Sequence, residues 1–306
     1  MKLKSILLVG TSVLGICASL LAEKPIVVTT TTMVTDMVKD VGGDDIEIVA
    51  LMGPGVDPHL YKPSARDISL LRKADVIFYN GLMLEGRMAD VFAKMARRGA
   101  KVYAVTEEIE ETSLLEPPEF EGHWDPHVWF DVELWAECIP VVVTGLSDAD
   151  PEHAKIYEER GKKLAASYQK IGEWAQMRVA EIPEAKRVLI TSHDAFNYFG
   201  RSFGFEVVGV QGISTATEAG LADISETVDF IKEKKVPAIF VETSVSPATI
   251  KRISEDSGAV IGGELFSDAM GTPGEMEQGS DGETYDVGTW PGMVKHNVNT
   301  IVDALK

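Results

Sequence analysis

The tripeptide Asp-Pro-His occurs twice in this 306-residue chain, as Asp57-Pro58-His59 and as Asp125-Pro126-His127. Proline fixes its own φ and disfavours helix in the residue before it, so each motif presents its histidine from a stiff loop. Neutral imidazole is the commonest protein ligand for first-row divalent metals. One copy alone would be read as a turn with an incidental histidine. The repetition predicts that His59 and His127 form half of a four-coordinate metal site.

The segments around these motifs alternate between strands and helices. In order, the patterns predict strand 25–32, helix 33–41, strand 46–52, helix 65–73, strand 76–79, helix 84–98, strand 101–105 and helix 131–146. Such alternation is typical of parallel sheets joined by right-handed crossovers, in which ligands bind at the carboxyl ends of the strands. His59 follows its strand at that edge.

The second half of the chain repeats this rhythm. The patterns predict strand 187–191, helix 195–203, strand 206–210, helix 223–234, strand 238–242, helix 247–257, strand 259–265, a loop over 267–292 and a last helix to residue 304. His193 and Asp268 each come just after a predicted strand, in the same topological position as His59. Four potential metal ligands therefore lie on strand-end loops, two in each half.

The predicted fold class is α/β with two lobes, because the chain is longer than one hydrophobic core usually serves. We expect an N-terminal lobe over residues 23–149, a linker helix region over 150–183 and a C-terminal lobe over 184–306. Asp150-Pro151-Glu152 has the composition of a helix start, and an apolar stripe continues until Pro183. Counted from Gly161, the helix has about 22 residues and a length of roughly 33 Å, enough to connect two lobes.

Residues 1–22 have the features of a signal peptide, with Lys2 and Lys4 before an apolar run that ends near Ala22. Several glycine, serine and threonine residues interrupt this run, which argues against a membrane span. We therefore expect an exported protein, either periplasmic or anchored at the outer face of the cytoplasmic membrane. Cleavage near Ala22 is favoured over lipidation at Cys17, since Ile16 stands where a lipoprotein site normally needs a small residue.

The composition excludes several classes of function. A formal net charge of −19 argues against nucleic acid as a partner, because phosphate binding needs clustered Lys and Arg. Two cysteines, one of them in the predicted signal peptide, leave no disulfide framework and no cysteine-rich zinc site. Motifs of zinc proteases, serine hydrolases and P-loop enzymes are missing, and four protein ligands would leave no position for a catalytic water. We therefore predict a protein that is not an enzyme.

Several motifs, in order and at matching spacing, resemble the TroA-like cluster A-I substrate-binding proteins, which serve bacterial ABC importers for zinc and manganese. The resemblance covers essentially the whole mature chain and is carried by residues 27–33, 55–63, 125–131, 191–196, 241–244, 264–269 and 288–293. It implies two lobes joined by one long rigid helix, with a single divalent metal ion buried between them. The implied ligands are His59, His127, His193 and Asp268.

The resemblance also implies a high-affinity receptor that delivers its metal to the membrane permease of an ABC importer, and we expect a monomer. Asp57 and Asp125 are expected either to accept hydrogen bonds from the neighbouring imidazoles or to cap nearby amides. His123, His153 and His296 are interpreted as residues that do not bind the metal. Two other hypotheses stay open at this point: a zinc-dependent hydrolase, and a surface adhesin with a structural metal.

The sequence leaves the identity of the metal open between zinc and manganese. Many zinc-specific relatives carry a histidine-rich loop between the first two ligands, whereas this chain has only His123 there. Many manganese-specific relatives have glutamate at the third ligand position, where this chain has His193. Three imidazoles and one carboxylate favour Zn²⁺ and permit Mn²⁺.

Overall fold

The computed structural model describes residues 23–306, so the predicted signal peptide, including Cys17, lies outside the described part of the chain. No helix within residues 23–306 is long and apolar enough to cross a membrane.

The N-terminal lobe is built on a four-stranded parallel sheet. Its strands are β1 (Ile26–Thr29), β2 (Glu47–Ala50), β3 (Val76–Tyr79) and β4 (Val102–Ala104), in the spatial order β2-β1-β3-β4. Three helices connect them: α1 (Thr32–Gly42), α2 (Ala65–Lys73) and α3 (Met88–Ala96). Because all four strands run parallel, their carboxyl ends lie at one edge of the sheet, as the sequence predicts.

Both faces of this sheet are covered, which explains the continuous apolar runs in its strands. Successive side chains of a strand point to opposite faces. Val27 and Phe78 pack into the main core with α1, whereas Val28 and Ile77 pack into a smaller core with Leu71 of α2 and with α3. Helices α2 and α3 therefore form the outer layer of this lobe.

The segment predicted as helix 84–98 begins later than expected. The chain after β3 passes through left-handed backbone at Gly81, Leu82 and Met83, whose φ angles are 94°, 50° and 67°. Glu85 folds back and accepts hydrogen bonds from the backbone N–H groups of Asn80 and Gly81. The side chain thus holds a turn at this point, and helix α3 begins only at Met88.

The prediction of one helix over 131–146 was wrong, because the structure has two. Helix α4 (Val132–Glu137) ends before Cys138, and helix α5 (Ile139–Ala149) follows it directly. Pro140 has no N–H to donate to the carbonyl four residues earlier, and its ring clashes with that carbonyl. The break therefore falls where proline interrupts the helical hydrogen bonds.

Helix α6 (Ala154–Val179) is the long helix that joins the two lobes. Its 26 residues correspond to about 39 Å. Near its start, Arg160 binds the carboxylate of Asp45 and the carbonyl of Gly42 in the N-terminal lobe. Near its end, Arg178 donates to Asn299 in the last helix of the chain. The helix is thus fixed to both lobes.

The C-terminal lobe contains two parallel strand pairs placed side by side. The strands are β5 (Val188–His193) with β6 (Glu206–Gln211), and β7 (Ala238–Glu242) with β8 (Val260–Leu265); β5 lies next to β7. The helices are α7 (Asn197–Phe203), α8 (Leu221–Lys234), α9 (Ala248–Ser257) and α10 (Trp290–Leu305). The prediction of a loop over 267–292 was incomplete. This segment contains an antiparallel hairpin of β9 (Met276–Gln278) and β10 (Thr284–Asp286).

Hydrogen bonds connect the lobes directly as well as through α6. The backbone N–H of Trp290 donates to the buried carboxylate of Asp36 at 2.8 Å, and the N–H of Met270 donates to the Thr32 hydroxyl at 2.9 Å. The indole of Trp290 packs against the ring of Tyr168 on α6, with the ring centroids 4.2 Å apart. These contacts oppose a wide separation of the two lobes.

Candidate metal centre

Four side chains meet in the cleft between the lobes: His59, His127, His193 and Asp268. One nitrogen or oxygen atom from each lies within 4.8 Å of the others. The side chains are buried, and even the most accessible of them, His59, has a relative exposure of only 3%. The structure therefore brings together all four residues that the sequence predicts as ligands.

Each residue is presented by the carboxyl edge of a sheet or by a loop beside it. His59 lies in the loop between β2 and α2, and His127 immediately precedes a short 3-10 turn over Val128–Phe130. Asp268 follows β8. The sequence predicted that His193 lies in the loop after its strand. In the structure it is the last residue of β5, so the strand itself holds it. The carboxyl edges of the two lobes thus face each other across the site.

Three of the spacings between these atoms match those around a tetrahedral metal ion. The Nε2 atoms of His59 and His127 are 3.4 Å apart. The carboxylate oxygens of Asp268 lie 3.4 Å from His127 Nε2 and 3.3 Å from His193 Nε2. Metal–ligand bonds of about 2.0–2.1 Å place the corners of a tetrahedron roughly 3.3 Å apart.

Three atoms of the site lack hydrogen-bond partners. His193 Nε2 and both oxygens of Asp268 are buried and form no hydrogen bond of acceptable geometry within the described residues. Buried polar atoms without partners are costly and rare in folded proteins. A divalent cation at the centre would satisfy all three of them.

Two carboxylates behind the site orient two of the imidazoles. Asp125 accepts hydrogen bonds from His127 Nδ1 at 2.7 Å and from the His127 backbone N–H at 3.0 Å. Glu242 does the same for His193, at 2.5 Å and 2.9 Å. With Nδ1 occupied in this way, each ring directs its Nε2 towards the centre, an arrangement that also raises ligand basicity.

Asp57 has a different structural role from Asp125. It accepts from the backbone N–H groups of His59 and Leu60, so it caps amides in its own loop, one of the two expected arrangements. Its other oxygen accepts from the hydroxyl of Thr215 at 2.6 Å. Because Thr215 belongs to the C-terminal lobe, this contact joins the His59 loop to the opposite side of the cleft.

The electrostatic environment differs among the four residues. Burial lowers the pKa of His59 to about 3. Burial also opposes protonation of His127, but the carboxylates of Asp125 and Asp268 outweigh it and raise its pKa to about 9. Asp268 and Glu242 likewise overcome burial and raise the pKa of His193, while the imidazoles hold that of Asp268 well below its usual range in spite of burial. At neutral pH the metal-free site therefore retains protons that a metal ion must displace.

The other histidines in the described part of the chain lie outside this cluster. His123 is exposed. His153 is hydrogen bonded to Asp150 at 2.6 Å, and His296 to Glu277 at 2.7 Å. Their positions agree with the interpretation that they do not bind the metal.

Glu242 is the residue of the site whose role sequence reasoning missed. It is fully buried at the carboxyl end of the apolar strand β7, beside β5. The sequence signal that could have identified it is a lone carboxylate at the end of a buried strand, on the ligand edge of the sheet. Such a charge needs a partner inside the protein.

Replacing Glu242 with Gln is expected to weaken metal binding roughly 10- to 100-fold, the usual effect of losing a supporting carboxylate behind a histidine ligand. The amide keeps the shape but removes the charge that favours a strongly basic His193. Competition against a chelator of known affinity measures the change. Glu264→Gln, on the exposed surface of the same lobe, is the control, and equal affinities for the two variants would contradict this role of Glu242.

A buried cage of three imidazoles and one carboxylate, enclosed by two α/β lobes on a rigid helix, defines a class: substrate-binding proteins whose cargo is a metal ion. Comparison with known proteins then gives the family. Residues 27–304 match the family described as "Zinc-uptake complex component A periplasmic", and the chain belongs to this family of metal-binding receptors of ABC importers. The family is not enzymatic and its members are exported, as the sequence predicts.

Individual relatives support this assignment along almost the full length. The chain is 43% identical to the zinc-binding protein TroA of Treponema pallidum and 42% identical to the manganese-binding lipoprotein MntA of Bacillus subtilis. Each match covers 92% of this chain and 89% of the relative. The solved structure of periplasmic zinc-binding TroA from T. pallidum superposes with a TM-score of 0.86 at 42% identity, covering 92% of this chain and 99% of that one. The resemblance seen in the sequence is thereby confirmed.

Proposed function

We propose that this protein captures one divalent transition metal ion outside the cytoplasm and delivers it to the permease of an ABC importer. His59, His127, His193 and Asp268 are the proposed ligands, with Asp125 and Glu242 as the supporting carboxylates. The observation that carries the proposal is the convergence of four buried side chains, among which His193 Nε2 and both oxygens of Asp268 have no hydrogen-bond partner within the described residues.

Zinc is the proposed preferred cargo. Nitrogen-rich sites bind Zn²⁺ more tightly than Mn²⁺ in the divalent affinity series, and four ligands near tetrahedral spacing suit zinc. A second carboxylate oxygen of Asp268 also points into the site, which permits the higher coordination that manganese favours. Among the relatives, one is named for zinc and another for manganese, so the names alone do not select the metal.

We further propose that the protein works as a monomer of three parts, with lobes at 23–149 and 184–306 and the linker region at 150–183. Two lobes tied to one continuous helix support small movements of loops around the cleft, because bending α6 would break its backbone hydrogen bonds. The permease would contact the rims of both lobes around the metal. Nucleic acid is not a proposed partner, and an adhesin role would leave the buried cage unexplained.

Calorimetric titration with Zn²⁺ tests the proposed function. We expect one metal ion per chain, no hydrolytic turnover, and release of at least one proton per metal at pH 7, measured by comparing buffers of different ionisation enthalpy. Protons compete with the metal below the raised pKa values of His127 and His193, so metal affinity should keep rising with pH to at least about 9, the value of His127. A ratio other than one, metal-dependent hydrolysis, or affinity independent of pH would each contradict the proposal.

A further inference from the structure

A basic surface lies on the outer layer of the N-terminal lobe. Residues 62–101 contain nine Lys and Arg against four Asp and Glu, a net charge of +5. The rest of the chain has 20 basic against 44 acidic residues. This segment therefore differs in sign from the protein around it.

Three of these nine basic residues line an apolar groove between α2 and α3, with a volume of about 340 Å³. The floor of the groove is apolar: Ile68, Leu71, Val91, Met95 and Ala100. Its rim is formed by the exposed side chains of Arg72, Lys94 and Arg98. We call these residues together the basic groove. Lys73 and Arg97, also exposed, extend its charge.

The carboxylates of this segment do not neutralise the rim. Asp67 caps the start of α2, Asp75 accepts from the backbone N–H of Ile26, and Glu85 is buried. Asp90 lies at the start of α3, one turn before Lys94, with which it forms no ion pair, and about 12 Å along the helix from Arg98. The ion pairs of residues 23–306 use cations elsewhere, such as Arg160 and Arg201, and none involves a residue of the rim.

The basic groove also has a defined position in the fold. Helix α2 ends at Lys73, before the start of β3, and helix α3 ends before the start of β4. Arg72 and Arg98, at the ends of these helices, therefore lie near the amino-terminal edge of the sheet. The described chain enters the same edge at Ile26, which is bonded to Asp75. The metal centre lies at the opposite, carboxyl edge. The N-terminal segment thus joins the folded protein on the side of the basic groove.

We propose that the basic groove is a docking surface for anionic phospholipid headgroups. Guanidinium groups bind phosphate oxygens in a bidentate manner. The apolar floor between them contains no carboxylate that would repel a phosphate. The Debye length at physiological ionic strength is about 8 Å, so the acidic remainder of the protein is largely screened from a membrane in contact with the rim. Bound in this way, the protein would hold its metal cleft open to the exterior for capture, and it would have to leave the lipid before the permease contacts the rims of the cleft.

Vesicle co-sedimentation tests the proposal with the metal-loaded exported chain, prepared without lipid modification. We expect binding to vesicles containing phosphatidylglycerol, little binding to pure phosphatidylcholine, and a decrease on raising the salt from 0.15 to 0.5 M. Arg72→Glu together with Arg98→Glu should lower the partition coefficient about tenfold or more, since each juxtamembrane cation contributes separately. Lys162→Glu with Lys163→Glu, two exposed positions on α6, makes the same change in net charge and should have less than a twofold effect.

Metal affinity serves as the check on folding, because the basic groove and the metal centre lie at opposite edges of the sheet. Unchanged metal binding in the groove variant together with lost vesicle binding supports the proposal. It is overturned if the wild type does not bind anionic vesicles, if both vesicle types bind equally, or if the two double variants behave alike.

Discussion

Metal affinity is expected to fall by at least about a thousandfold when His193 is replaced by alanine. This exceeds the 10- to 100-fold effect of losing a supporting residue, because a ligand in direct contact with the ion disappears. The variant also leaves the Glu242 carboxylate buried without its imidazole, which should lower the free energy of unfolding of the metal-free protein by about 3–5 kcal/mol. Chelator competition measures the first effect and denaturant unfolding the second.

A second ligand variant separates binding from folding. His59 has no buried carboxylate hydrogen bonded to its ring, so His59→Ala should reduce metal affinity strongly while leaving the metal-free protein nearly as stable as the wild type. His153→Ala is the matched control, since this partly exposed histidine contacts Asp150 far from the cage. Comparable affinity losses for His59→Ala and His153→Ala would rule out the proposed ligand set.

Zinc is expected to displace manganese when the two ions compete at equal free concentrations. The cage supplies three nitrogen ligands, for which the divalent series ranks Zn²⁺ well above Mn²⁺. Equilibrium dialysis against both free ions, followed by elemental analysis of the protein, measures the occupancy. We expect zinc in nearly all chains, whatever metal the protein carries when it is isolated from cells.

Manganese that remained bound against an equal concentration of free zinc would contradict this expectation. It would mean that the ligands are held too far apart for zinc or that additional oxygen ligands complete a larger shell. Asp268→Asn offers a direct check, because it removes the carboxylate charge that manganese needs more than zinc does. Loss of manganese binding with partial retention of zinc would identify Asp268 as the residue that keeps the site open to both metals.

The sequence predicted well which four side chains meet in the cleft, and the reasons are local. Asp-Pro-His fixes a histidine on a stiff loop, and a polar residue after an apolar run marks the ligand edge of a parallel sheet. The ends of α2 and the bounds of β3 and β7 were predicted to the residue, because a capping serine, charged ends and apolar cores coincide there.

The features that sequence reasoning missed have both distant and local causes. Glu242 supports His193, 49 residues away, and no spacing rule links the two positions. Helix α3 starts late because the Glu85 side chain holds a left-handed turn. Helix propensities of single residues do not reveal such a turn. Pro140 is the sequence signal for the helix break at Cys138, because proline cannot donate a helical hydrogen bond. The hairpin strands β9 and β10 have only three residues each, too few for an alternating pattern.

The burial of all four proposed ligands has a consequence for the rate of transport. With nanomolar affinity and an association rate constant of about 10⁷ M⁻¹ s⁻¹, an ion would dwell in the cage for roughly 100 s before escaping unaided. Spontaneous escape would then limit the importer to less than one ion per receptor per minute. The proposed permease partner would therefore have to shorten this dwell time. The hydrogen bond between Asp57 and Thr215 joins the His59 loop to the C-terminal lobe, so breaking it would loosen the loop that carries one proposed ligand.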